Sequence, residues 1–183
     1  FFIGADGVKI IRPKINEIIP EFLYYDLKYH TIPNTGYNRH FKFVKMLKLT
    51  KASMEKQNEF LLIARQADKS KFGDFKSQFI EMFGNPLSSK QKNELKRLGQ
   101  CCIINPRRPN IALCDTDKVS FIPMPAVSED GYLVDMADEE YGKVKKGFTY
   151  FENNDVLFAK ITPCMENGKG AIAYGLTNGI GVG

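Results

Sequence analysis

Between Lys51 and Phe83 the chain reads KASMEKQNEFLLIARQADKSKFGDFKSQFIEMF, with no proline and a single glycine, Gly73. Glu, Gln, Lys, Leu, Met and Ala dominate it, residues that lose little on entering a helix. The stretch predicts one long helix. Its apolar residues step at helical spacing: Phe60, Ile63 and Ala67 first, then, after a slip near Lys69 to Lys71, Phe72, Phe75, Phe79 and Met82. At 1.5 Å per residue it would reach about 45 Å. Gly84, Asn85 and Pro86 should stop it. Such a rod is either a core helix of its own domain or a spacer with an apolar seam for a second helix.

The flanks read differently. FFIGADGVKIIRPK predicts a strand, a turn at Gly4 to Gly7 and a second strand, Val8 to Ile11. INEIIPEFLYYDLKYH predicts a short helix with Pro20 in its first turn and Phe22, Leu23, Leu27, Tyr25 and Tyr29 on its apolar side. Asn34 to Gly36 is a turn, and Phe41 to Leu49 alternates as a strand does. Beyond the long helix, SSKQKNELKRLG predicts a second helical piece capped at Ser88 or Ser89 and ended by Gly99. Short strands follow in VSFIPM, GYLVDM, KVKKGFTYF, DVLFAKI and Ala171 to Tyr174, with glycine and asparagine loops at the end. The fold class expected is α+β: β-rich portions at 1–49 and 86–183 on either side of a helix at 50–85.

With 43% hydrophobic residues among 183, the chain can bury a real core. No run approaches the roughly twenty apolar residues of a membrane span, and FFIGADGVKI carries neither a basic leader nor a cleavage site; a soluble, unprocessed, cytoplasmic protein without membrane contact is expected. Cys101, Cys102, Cys114 and Cys164 form no Cys-x-x-Cys pair, so buried reduced thiols are expected and no metal site. The net charge of +5 is unevenly spread. Arg39, Lys42, Lys45, Lys48 and Lys51 follow one another without an acid, Lys90 to Arg108 form a second basic group, and the acids gather between Glu129 and Glu140. That segregation suits a polyanion or, as readily, a solvated face.

Chemistry is sparse. Asn167-Gly168-Lys169-Gly170 places backbone amides and an ammonium where a phosphate could sit, or is a plain hairpin loop; it is not a P-loop, because Gly170 follows the lysine. Cys164 and Glu166 have no histidine nearby, the chain's two being His30 and His40. Asp26-Leu27-Lys28 and Glu94-Leu95-Lys96 match half of a nuclease pattern in helical surroundings, where such pairs are common surface. No asparagine or aspartate followed by two prolines and an aromatic residue is present. The residues therefore indicate no catalytic centre. Arg39, Arg107, Arg108, Lys145 and Lys146 are the basic candidates for DNA contact, chosen on charge.

The run VSFIPMPAVSEDGYLVD, then Tyr141 and KKGFTYFENNDVLFAKITPCMENGKGAI followed by GLTNGIGVG, closely resembles the start of a target recognition domain in the DNA specificity subunits of type I restriction-modification systems. TPCMENGKGA is the most specific part. FFIGADGVKIIRP, EFLYYDLK and GYNRHFKFVKMLKL look like the closing part of such a domain, and MEKQNEFLLIARQADKSKF looks like the family's central helix, with Gln57 and Phe60 in place. Thr50, Ala52 and Ser53 stand where the family usually has a proline-rich entry. The order of parts looks like a fragment, or a rearranged or truncated gene product.

The resemblance implies a host-defence protein that recognises a bipartite double-stranded DNA target. Its helix, as a coiled-coil spacer, would set half-site separation, dock methyltransferase subunits and permit self-association. It implies no cofactor in this chain: S-adenosylmethionine, ATP and magnesium belong to the methyltransferase and restriction subunits, which also carry catalysis. It adds the loop Thr162 to Lys169, with Asn167, and the loop Asn178 to Gly181 as DNA contacts. Two rival expectations are a stand-alone magnesium-dependent endonuclease and a decoy that binds methyltransferase subunits without selecting DNA.

Overall fold

In the computed structural model, residues 8–30, 45–66, 72–85, 94–128, 131–160 and 169–183 are described. The first strand, β1 (Val8–Pro13), ends at a turn that places Asn16 at a φ of 63°. Helix α1 (Pro20–Tyr29) then begins with Pro20 in its first turn, where the missing amide costs nothing. The expected turns at 4–7 and 34–36 and the Phe41 end of the next strand lie outside the described residues. Strand β2 spans Lys48–Lys51.

The predicted rod is two helices, α2 (Met54–Gln66) and α3 (Phe72–Phe83). They lie together: the Phe60 and Phe79 rings are 5.3 Å apart, edge to face. On one continuous helix those residues would stand about 28 Å apart. The apolar steps that read as one seam are therefore two faces that meet each other. Phe22 of α1 closes the group, 6.0 Å from Phe60, 5.5 Å from Phe79 and 5.1 Å from Phe83. Phe22, Phe60 and Phe79 are fully buried, so aromatic burial, not a remote partner, satisfies this face.

Gln57, also buried, joins the helices to the first turn. It accepts the Ile19 amide at 2.8 Å and donates to the Ala52 carbonyl at 2.9 Å. Asp26 does the same for β2, accepting the Thr50 amide at 2.9 Å.

Where a second helix is expected, Glu94–Arg97 is a strand, β3, paired antiparallel with β2 and tied by Lys51 to Glu94 at 2.8 Å. Tertiary pairing overrides the helical propensity of ELKR there. A short helix α4 (Leu98–Cys101) and strand β4 (Cys102–Ile104) follow, with Gly99 inside the helical turn. The remaining elements are β5 (Lys118–Phe121), β6 (Ala137–Glu140), the short helix α5 (Tyr141–Val144), β7 (Tyr150–Glu152), β8 (Val156–Ala159), β9 (Gly170–Ile172) and β10 (Ile180–Val182). GYLVDM holds only a bridge from Leu133 to Val127, and the strand falls just after it.

Among the described residues there are two four-stranded sheets, ordered β4-β1-β8-β9 and β6-β5-β10-β7. The first unites the two ends of the sequence, since β1 pairs antiparallel with both β4 and β8. Ile11, Val156, Phe158 and Ile172 face the helices, whereas Ile10, Leu157 and Ala171 pack with Ile122, Phe151 and Leu176 beside the second sheet. With both faces covered, β8 reads as the continuous apolar run VLFA.

Candidate nucleic-acid interface

Strand register brings distant basic residues to one end of the first sheet. Val8 pairs with Ala159, so the start of β1 lies beside the end of β8. Phe158 pairs with Gly170, and the Ala159 amide donates to the Lys169 carbonyl at 2.9 Å, so β9 starts there too. β4 runs antiparallel to β1 and leaves the sheet at the same end. Three inter-strand steps, about 14 Å, separate β4 from β9.

Asn105 fixes the β4 exit. Its φ of 48° turns the chain, its amide donates to the Ile10 carbonyl at 2.7 Å, and its side-chain oxygen accepts the Ile10 amide at 3.0 Å. Asparagine tolerates the left-handed region better than most residues. Arg107 and Arg108 follow directly. Sequence reasoning missed Asn105, which looks like one more loop residue.

The two arginines then differ. Arg107 is exposed. Arg108 is half-buried: its guanidinium donates to the Lys145 carbonyl and, at 3.4 Å, to the Phe148 carbonyl, and lies 5.6 Å from the Tyr150 ring centre. It holds the turn that carries the other predicted pair. Of these, Lys145 is neutralised by the Asp115 carboxylate, 2.8 and 3.0 Å away. Lys146 is exposed and bonds no carboxylate among the described residues.

Lys169 stands on the β9 side of the same end, half-buried and without a carboxylate among the described residues. Gly170 explains how it gets there, because a Cβ would come within 2.8 Å of the Leu157 carbonyl oxygen. Only glycine lets β9 lie that close to β8. Arg39, Thr162, Asn167 and Cys164 lie outside the described residues.

Asn178 is exposed on a turn at φ 53°, and its side-chain amide donates to the Lys118 carbonyl at 2.9 Å. Of its loop, Ile180–Val182 is strand β10, central in the second sheet. A Cβ on Gly181 would run into the Phe151 ring.

Of the seam residues, Phe60 and Phe79 are buried in the aromatic group, Ile63 is partly exposed, and Met82 packs against that core. Phe72 and Phe75 fall in α3 but their side chains, like the whole of Ala67, lie outside the described residues. Cys101 and Cys102 are buried, with their thiol pKa values raised by desolvation, but Cys114 is exposed, contrary to expectation.

The opposite end of the sheet carries compensated charge. Arg12 donates to both oxygens of buried Asp155, 2.7 Å each, and sits 3.3 Å from Glu152. Those hydrogen bonds, chiefly Asp155's, raise the arginine pKa further. Lys96 pairs with Glu17 and Arg65 with Glu21, each at 2.9 Å. The Glu94 and Lys96 of the nuclease-like pattern are thus taken up by different partners, Lys51 and Glu17. An open cleft of about 620 Å³ lies here, lined by Arg12, Met54, Asn153, Asn154 and Tyr174 among others. Among the described residues no group of acids, cysteines and histidines could hold a metal ion, and no helix is long and apolar enough to cross a membrane.

No protein-family model and no solved structure matches the chain. Two curated proteins do. The specificity subunit of the type I restriction enzyme EcoAI of Escherichia coli is 52% identical over 71 residues, 38% of this chain and 12% of that protein. The specificity subunit of the type I restriction enzyme EcoEI, also of Escherichia coli, is 44% identical over 89 residues, 47% of this chain and 14% of that protein. The matches thus span about an eighth of the length of these relatives. Over that stretch the chain is a partial relative of the specificity subunits of type I restriction enzymes.

Proposed function

We propose that the chain is a DNA-reading piece of a type I restriction-modification complex, binding double-stranded DNA through the basic end of its first sheet. What supports this is that β4, which Arg107 follows, and β9, which Lys169 precedes, leave and enter the first sheet at the same end, and that neither residue bonds a carboxylate among the described residues. A span of about 14 Å matches about four phosphates along one strand, at roughly 3.4 Å each. Lysines there hold phosphates, and Thr162 and Asn167, in the stretch that links β8 to β9 in sequence, are the candidates for reading bases.

In the complete assembly the target is bipartite. The packed pair α2 and α3 contributes to the spacing of the half-sites and to docking of methyltransferase subunits. Those subunits and the restriction subunit bring S-adenosylmethionine, ATP and magnesium, and with them the catalysis. The likeness to two specificity subunits of type I restriction enzymes supports this reading.

The test is selection from a randomised duplex pool by this chain mixed with a methyltransferase subunit, at near-physiological salt. Two short enriched blocks at fixed separation are expected. Retained DNA without any enriched sequence would overturn sequence reading and leave only electrostatic binding.

A further inference from the structure

The acids gathered before Glu140 take no part in the basic end. β6 carries Asp138, Glu139 and Glu140 on the edge of the second sheet, and among the described residues no strand pairs with its outer side. The Tyr141 amide donates to the Asp117 carbonyl, and Lys118 pairs with Glu140. In an antiparallel ladder this alternation places the Glu139 amide toward β5 and turns the Asp138 and Glu140 amides outward.

Just before the strand, Tyr132, Val134 and Met136 are 46%, 55% and 45% exposed, while Leu133 turns inward onto the core. The only neighbouring cations bonded to these acids in the described residues are Lys143, 3.0 Å from Glu140, and Lys118, 3.9 Å away. Asp135 and Glu139 bond neither. A polyanion would be repelled here. An open strand edge, exposed apolar side chains every second residue and surplus carboxylates together fit one kind of occupant.

We propose that this edge receives an extended segment of a partner protein, with lysine or arginine alternating with apolar residues, which adds a strand to β6. Backbone bonds to the outward amides give the register, Val134 and Met136 give apolar contact, and Asp135 and Glu139 select positive charge.

The probe is a fluorescent peptide, Lys-Val-Lys-Val-Lys-Val-Lys, titrated into the full chain, with its Glu-for-Lys counterpart as control. Saturable binding of the basic peptide alone is expected, weakened about tenfold in V134E. The double variant D135K/E139K should reverse the preference to the acidic peptide; D135N/E139Q should only weaken the basic one. Hydrogen exchange at the Asp138 and Glu140 amides should slow on binding. Equal binding of both peptides, indifference to V134E, or unchanged exchange at those two amides would overturn the proposal. Self-association in sedimentation that V134E abolishes, with no peptide binding, would assign the edge to a second copy instead. DNA titration of V134E should match wild type, which separates failure here from failure of the DNA reading.

Discussion

The two ends of the first sheet use their cations in opposite ways. At the Pro13 end Arg12, Lys96 and Arg65 each bond a carboxylate, and their charge is spent on holding the β1–α1 turn, β3, α2 and the β7–β8 turn together. At the Val8 end Lys169, and Arg107 beyond the β4 exit, bond no carboxylate among the described residues. Net charge cannot distinguish these ends. What distinguishes them is which cations are left over once the protein's own carboxylates are satisfied.

The strongest way to break the comparison is at Asp155. This residue is 1% exposed and accepts from Arg12 twice and from the Glu152 amide at 2.8 Å. Asp155→Ala leaves the Arg12 guanidinium with Glu152 alone and the Glu152 amide without its acceptor, and should cost about 3 kcal/mol in denaturant unfolding. The salt dependence of DNA binding measured on the folded protein should stay as in wild type. A loss below about 1 kcal/mol would mean that the compensated end is not an internal lock.

A smaller effect is expected at Gly170, on the open end. Gly170→Ala sets a methyl group against the Leu157 carbonyl oxygen and should cost about 1–3 kcal/mol as β9 shifts from β8. Because Lys169 rides on that strand, DNA affinity should fall as well. Normal affinity at full fold stability would show that strand closeness does not position the lysine.

Much of this was legible in the residues. Proline at the start of α1, the apolar faces of the helices and the VLFA strand follow from local rules. A single rod is not what these residues form: Phe60 and Phe79 keep helical spacing whether their helix is continuous or doubled back, so periodicity alone carries no length. ELKR became a strand and ADEE an edge strand because partners far along the chain, β2 and β5, supply the backbone bonds. The basic candidates could be picked by charge, but not sorted: nothing local says that Arg108 clasps a turn and Arg107 does not. Asn105, which aims both, gives no signal beyond being an asparagine before a proline.

That pair supplies the finest test of the comparison. Arg108→Ala removes charge-assisted bonds to two carbonyls of the Lys145–Phe148 turn and should cost about 1–2 kcal/mol of stability. Arg107→Ala, Lys146→Ala and Lys169→Ala should each change stability by less than about 0.5 kcal/mol. Each should instead lower the slope of log K against log salt by about 0.9 in an anisotropy titration, as the loss of one phosphate contact does. Lys145→Ala, already paired with Asp115, should lower it less. If Lys145 changed the slope as much as Lys146, carboxylate pairing would not be what withholds a cation from DNA, and the distinction between the two ends would fall with it.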